Sequence, residues 1–138
     1  CDLVALGITS IGMVDDTYSQ NVKTLEEYHD RVSAGRLPVY RGVQLSEDDK
    51  LRRAVITELI CHFAVDLAAI SHAWGVDAAS CFAREMAQLQ PMADDGLLTL
   101  DGHRLQVLPR GRLLIRNICM AFDRYLREQQ QQRFSKVI

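Results

Sequence analysis

The sequence predicts a mainly α protein with a small β-hairpin: a winged-helix-like carboxy-terminal domain over 43–138, preceded by a strand–helix unit and connector over 1–42. Two apolar stripes carry the helical part. Leu51, Val55, Leu59 and Phe63 recur every four residues, as do Leu114, Ile118, Phe122 and Leu126, the spacing of one helix face. Between them, over 97–108, the pattern switches to period two around Asp101-Gly102, a dipeptide suited to a type I′ hairpin turn. Three helices, a hairpin and a closing helix is a winged-helix order.

The chain opens without Met on an apolar run, LVALGI at 3–8. Such a run, bounded by Gly7 and Gly12, predicts a strand buried on both faces, as in a parallel sheet, with its partner strands upstream of Cys1 or its faces covered in some other way. MVDDTYSQN then reads as a polar loop. Thr24 is placed to cap a short helix with Leu25, Tyr28 and Val32 on one face, ended by Gly35. Pro38 disfavours the helical region for Leu37, so LPVYRG (37–42) is expected to run extended.

Ser46 and Asp49 have capping-box spacing and predict a helix over 46–63. Asp66 caps a second helix with Leu67, Ile70 and Trp74, stopped by Gly75. Asp77 caps a third with Phe82, Met86 and Leu89 inward, interrupted near Pro91. Pro109 and Gly111 separate the hairpin from a long last helix starting near Arg112, and EQQQQRFSKVI ends the chain as an exposed, Gln-rich tail.

Composition is that of an ordinary globular protein, 48% hydrophobic and 25% charged, with a net charge of -2 over 138 residues. That balance gives no general attraction to nucleic acid or anionic membrane. The third helix sets Arg84 against Glu85 and is flanked by Asp77, Asp94 and Asp95, while the hairpin adds only His103 and Arg104. No apolar run reaches the length of a membrane span and no signal-peptide pattern opens the chain, so the expected compartment is the cytoplasm.

Residues that could carry chemistry are scattered. Cys1, Cys61, Cys81 and Cys119 form no close pair and read as reduced thiols. His29, His62, His72 and His103 fall on four different elements, and Asp15-Asp16 is a candidate carboxylate pair that reads more simply as a solvated turn. Arg110, Arg112 and Arg116, with Asn117, gather where the hairpin meets the last helix. Guanidinium forks suit carboxylates and phosphates. The plainer reading of these arginines is interdomain ion pairing or a solvated helix start.

GITSI (7–11), YSQN (18–21), LPVYRG (37–42), LSEDDKLRRAVITELIC (45–61), GRLLIRNICMAFD (111–123) and FSKVI (134–138) together resemble the carboxy-terminal portion of the oxygen-independent coproporphyrinogen III oxidases, or coproporphyrinogen dehydrogenases. The resemblance spans nearly the whole chain, in order. It implies a radical S-adenosylmethionine oxidoreductase of haem and porphyrin biosynthesis. Such an enzyme oxidatively decarboxylates two propionates of coproporphyrinogen III to the vinyls of protoporphyrinogen IX by way of a 5′-deoxyadenosyl radical. It also implies a 4Fe–4S cluster and S-adenosylmethionine in the full-length enzyme. The cluster is held there by a C-x-x-x-C-x-x-C motif that this sequence lacks, so none of its cysteines maps to a ligand and the chain alone is expected to be inactive.

On this resemblance residues 3–11 are a late strand of a (β/α) barrel in the same chain, 24–34 its helix, and 45–129 an accessory domain over the barrel mouth. Ile11, at the carboxyl end of that strand, is implied to line the S-adenosylmethionine site, its alternative being barrel core. Arg112 and Arg116 become candidates for holding the tetracarboxylate substrate. Two other readings stand beside it. One is a haem-binding chaperone related to these oxidases, although LICHF and NICMAFD fit the oxidases better. The other is a free-standing winged-helix interaction module.

Overall fold

The structure, a computed structural model, describes residues 1–126. It divides into two compact units, Cys1–Lys50 and a second beginning at Leu51.

The first unit is a three-stranded antiparallel meander with one helix. Strands β1 (Ile11–Val14), β2 (Thr17–Asn21) and β3 (Val39–Gln44) pair in the order β1-β2-β3, with helix α1 (Leu25–Ser33) inserted between the last two. The expected parallel strand at 3–8 is therefore corrected. That segment touches β1 through a single antiparallel bridge, Leu3 to Met13, and Leu3, Val4 and Leu6 are exposed. Two of its carbonyls are held by a side chain: the buried Asn21 donates Nδ2 to Ala5 O (3.2 Å) and Gly7 O (2.9 Å). Gly12 is where the segment crosses, since a Cβ there would lie 3.0 Å from Leu3 O.

The expected polar loop is also corrected. MVDDTYSQN folds as the β1–β2 hairpin, with Val14 opposite Thr17 and Asp15 at φ 54°, a conformation Asp tolerates better than most residues. Thr24 occupies the cap position of α1, where its carbonyl rather than its hydroxyl is used, accepting from Tyr28 N at 3.2 Å. Gly35, at φ 68°, follows the helix as anticipated. The extended run after Pro38 is β3, whose register with β2 is offset by a bulge at Gln20/Asn21.

The capping box is present as the spacing predicts. Ser46 N donates to Asp49 Oδ2 (2.9 Å) and Asp49 N donates to Ser46 Oγ (3.2 Å), starting α2 (Glu47–His62). Asp66 caps α3 (Leu67–Trp74), accepting from Ala68 N at 2.8 Å, and Gly75 ends it at φ 65°. Asp77 caps α4 (Ala78–Cys81); bonds from the Ser80 hydroxyl and N–H hold its carboxyl below the usual carboxylate range. After a break at Phe82 the chain continues as α5 (Ala83–Asp94). Pro91 does not interrupt α5: the ring removes one donor, but the Pro91 carbonyl still accepts from Asp95 N at 3.0 Å, and the end comes at Gly96, φ 70°.

The hairpin is β5 (Leu98–Asp101) and β6 (Arg104–Val107), with Gly102-His103 as the central turn residues. Only Gly102 has positive φ, the pattern of a type II′ turn rather than the I′ turn expected. A strand that the sequence did not announce, β4 (Ala64–Asp66), pairs with β6 to make a second antiparallel sheet, β4-β6-β5.

The expected long last helix is three pieces. Pro109–Leu114 is a 3-10 segment and α6 spans Ile115–Met120. The helix then breaks, and Asp123 accepts from Tyr125 N (2.9 Å) and Leu126 N (3.3 Å), restarting it by its own cap. The FSKVI terminus and the Gln-rich run lie outside the described residues. The core of the second unit is built from Val55, Leu59, Leu67, Phe82, Leu89, Leu98, Leu105, Val107, Ile118 and Phe122, with the Phe82 and Phe122 rings edge-to-face at 5.5 Å.

Candidate functional site

Ile11 opens β1 rather than closing a strand, opposite Gln20 of β2, and its side chain is 58% exposed. It lines an open cavity of about 330 Å³ with Tyr18, Ser19, Gln20, Arg41, Gly42 and Val43. The floor is close-set, because a Cβ at Gly42 would lie 3.1 Å from Tyr18 O. The polar groups around it are already oriented: Arg41 Nε donates to Gln20 Oε1 (3.0 Å), and Gln20 Nε2 donates to Thr9 O (3.2 Å). The cavity thus sets an exposed apolar side chain beside polar groups that are already held.

The arginines lie in the second unit. Arg110 and Arg112 are on the 3-10 segment, Arg116 and Asn117 on α6, and all are exposed. Among the described residues no carboxylate forms an ion pair with any of the three arginines. Arg112 is held from one side, its guanidinium 4.8 Å from the centre of the Phe63 ring.

The remaining candidates are not brought together. The four histidines are exposed, and Asp15-Asp16 forms the β1–β2 turn, where Asp15 N donates to Asp2 Oδ1 (2.9 Å). Cys1, Cys61 and Cys81 are exposed free thiols; Cys119 is buried, which pushes its thiol up and keeps it protonated. Among the described residues no group of His, Cys, Asp or Glu could hold a metal ion, so the residues of this chain do not fit an iron–sulfur cluster. No described helix is long and apolar enough to cross a membrane.

Two features escaped sequence reasoning. Glu85, read as an ordinary helix charge beside Arg84, is 2% exposed and accepts from Arg52 Nη1 at 2.9 Å. Arg52 Nη1 also donates to Phe122 O (3.1 Å), and its guanidinium lies 5.4 Å from the Phe82 ring. The other is Phe63. Its spacing makes it the last residue of a helix stripe, yet it sits at φ 56°, costly for a bulky side chain.

A family model described as the HemN C-terminal domain matches residues 45–114, half of the chain. The chain belongs to this family. Members of known identity agree along its whole length. It is 45% identical to the oxygen-independent coproporphyrinogen III oxidase of Escherichia coli K12, with 99% of this chain aligned to 30% of that protein. The corresponding oxidase of Pseudomonas aeruginosa is 44% identical over 100% of this chain and 30% of its own length. The solved structure of Escherichia coli coproporphyrinogen III oxidase (HemN), described as a radical SAM enzyme, superposes with a TM-score of 0.83 at 44% identity, covering 90% of this chain and 29% of that one. The chain thus spans about 30% of the length of these relatives.

Proposed function

We propose that this chain is the carboxy-terminal part of an oxygen-independent coproporphyrinogen III oxidase, a cytoplasmic radical S-adenosylmethionine enzyme of haem biosynthesis. The observation that carries this reading is 45% identity to such an oxidase across 99% of the chain. The substrate is coproporphyrinogen III, and the essential partner is the barrel portion of the same polypeptide, which supplies the 4Fe–4S cluster. Residues 1–42 form the end of that barrel portion and the connector, and 43–138 the accessory domain. The order α2, β4, α3, α4–α5 and the β5–β6 hairpin supports a winged-helix-like description.

In this reading Ile11 packs against S-adenosylmethionine, which when bound is the source of the hydrogen-abstracting radical. What this chain contributes is an apolar contact that excludes water from one face of the ligand. Arg112 and Arg116 hold propionate carboxylates by charge-assisted hydrogen bonds.

Anaerobic reconstitution of the full-length protein with iron and sulfide, followed by assay with coproporphyrinogen III, S-adenosylmethionine and a reductant, is expected to yield protoporphyrinogen IX and 5′-deoxyadenosine. Haem binding without porphyrinogen turnover would instead make the protein a haem chaperone. Alanine at Arg112 or Arg116 in the same protein is expected to raise KM for the porphyrinogen about tenfold each, the usual worth of a hydrogen bond to a charged group. Unchanged KM in both variants would remove the arginines from the substrate site.

A further inference from the structure

Among the described residues Phe63 is the one aromatic of three non-glycine residues at positive φ; the others are Thr9 and Asp15, in the first unit's turns. Glycine would make the same turn from α2 into β4 without strain. The turn is nonetheless firmly fixed. Phe63 N donates to Leu59 O (2.9 Å), closing α2, while Phe63 O accepts from Val107 N (2.7 Å) and Gln106 Nε2 (3.1 Å), both on β6. The backbone is thus tied to a helix on one side and a sheet on the other. The ring is half-buried and packs against the core.

The partner it meets is the guanidinium of Arg112, 4.8 Å from the ring centre, on an exposed 3-10 segment with Pro109 at its start. A free arginine side chain samples many rotamers, and fixing it on binding costs entropy. Seated on an aromatic face, a guanidinium keeps its edge donors while losing that freedom beforehand. We propose that Phe63 is a positioning residue: it pre-orients Arg112 so that its donors meet a carboxylate of the porphyrinogen. This rests on the substrate role proposed for Arg112 and adds the reason that a strained aromatic occupies the α2–β4 junction.

The test is a mutant cycle on the reconstituted full-length enzyme, measuring KM and kcat separately. Phe63→Leu and Phe63→Met keep an apolar side chain of similar size but remove the π face. Each is expected to raise KM for coproporphyrinogen III about threefold to tenfold, with kcat within about twofold, the scale of one cation–π contact. Phe63→Tyr is expected to keep the wild-type KM. In an Arg112→Ala background the Phe63 variants are expected to change KM no further. An equal rise in that background would mean Phe63 acts through packing alone and would overturn the proposal. Wild-type KM in Phe63→Leu and Phe63→Met, with a raised KM in Arg112→Ala, would overturn it while leaving the substrate role of Arg112 standing. Wild-type KM in Arg112→Ala would remove that role, and this inference with it.

Discussion

Glu85→Ala is expected to destabilise the second unit by about 1.5–3 kcal/mol, the worth of a buried hydrogen bond between charged groups. Arg52 and Glu85 are 12% and 2% exposed, so water screens neither. The carboxylate holds the guanidinium beside the Phe82 ring and the Phe122 carbonyl. Glu85→Gln keeps the shape and a hydrogen-bond acceptor and should cost less than alanine. Urea unfolding of the chain checks this: the midpoint should fall by about 0.5–2 M with the slope unchanged. A midpoint within experimental scatter of wild type would mean the pair adds nothing to the fold. The result also bears on function, because Arg52 joins α2 to Phe122, immediately after the helix that carries Arg116.

Gly111→Ala is the second change with a large expected effect, about 3 kcal/mol of lost stability, as overpacking against backbone allows little relief. A Cβ at Gly111 would lie 2.0 Å from Leu97 O and 2.9 Å from Leu97 C. That carbonyl cannot retreat freely, because it accepts from Leu108 N at 2.9 Å. The 3-10 segment and the start of the hairpin are therefore in contact only because position 111 has no side chain. Thermal unfolding, together with the far-UV signal of the folded state, separates outcomes: a full-strength fold melting at the wild-type temperature would contradict the close approach. Since Arg110 and Arg112 flank this glycine, the variant is also expected to disturb both arginines.

What the sequence made legible was what depends on near neighbours. The Ser46–Asp49 box, the Asp66 and Asp77 caps and the stop at Gly75 are local hydrogen bonds or local φ preferences, and each stands where its spacing put it. The inward faces at Val55, Leu59, Ile118 and Phe122 follow from helical period. Partners distant in sequence were not legible. Ala64-Val65-Asp66 is a strand only because β6 returns to it, and nothing in three residues announces that. The run at 3–8 has the hydrophobicity of an interior strand, yet its hydrogen bonding is decided by Asn21, more than ten residues on. Glu85 meets Arg52 across 33 positions, so a helix wheel shows only a charge. The candidate site divides similarly. Ile11, Arg112 and Arg116 came from resemblance and residue chemistry, whereas the Gln20–Arg41 bond at the cavity wall and the ring beneath Arg112 required the folded chain.

The bond from Arg52 to the Phe122 carbonyl spans 70 positions, and that separation sets a timetable. A ribosome adds about 5–20 residues per second, so roughly 4–14 s pass between making the first partner and the second. An isolated helix the length of α2 equilibrates within about a microsecond. Val55 and Leu59 are thus made seconds before Ile118 and Phe122, which complete the core they share. Vectorial synthesis holds the nascent domain in that half-finished condition for seconds. Its yield in a cell depends on how well that interval is shielded from aggregation, as well as on the stability of the finished core.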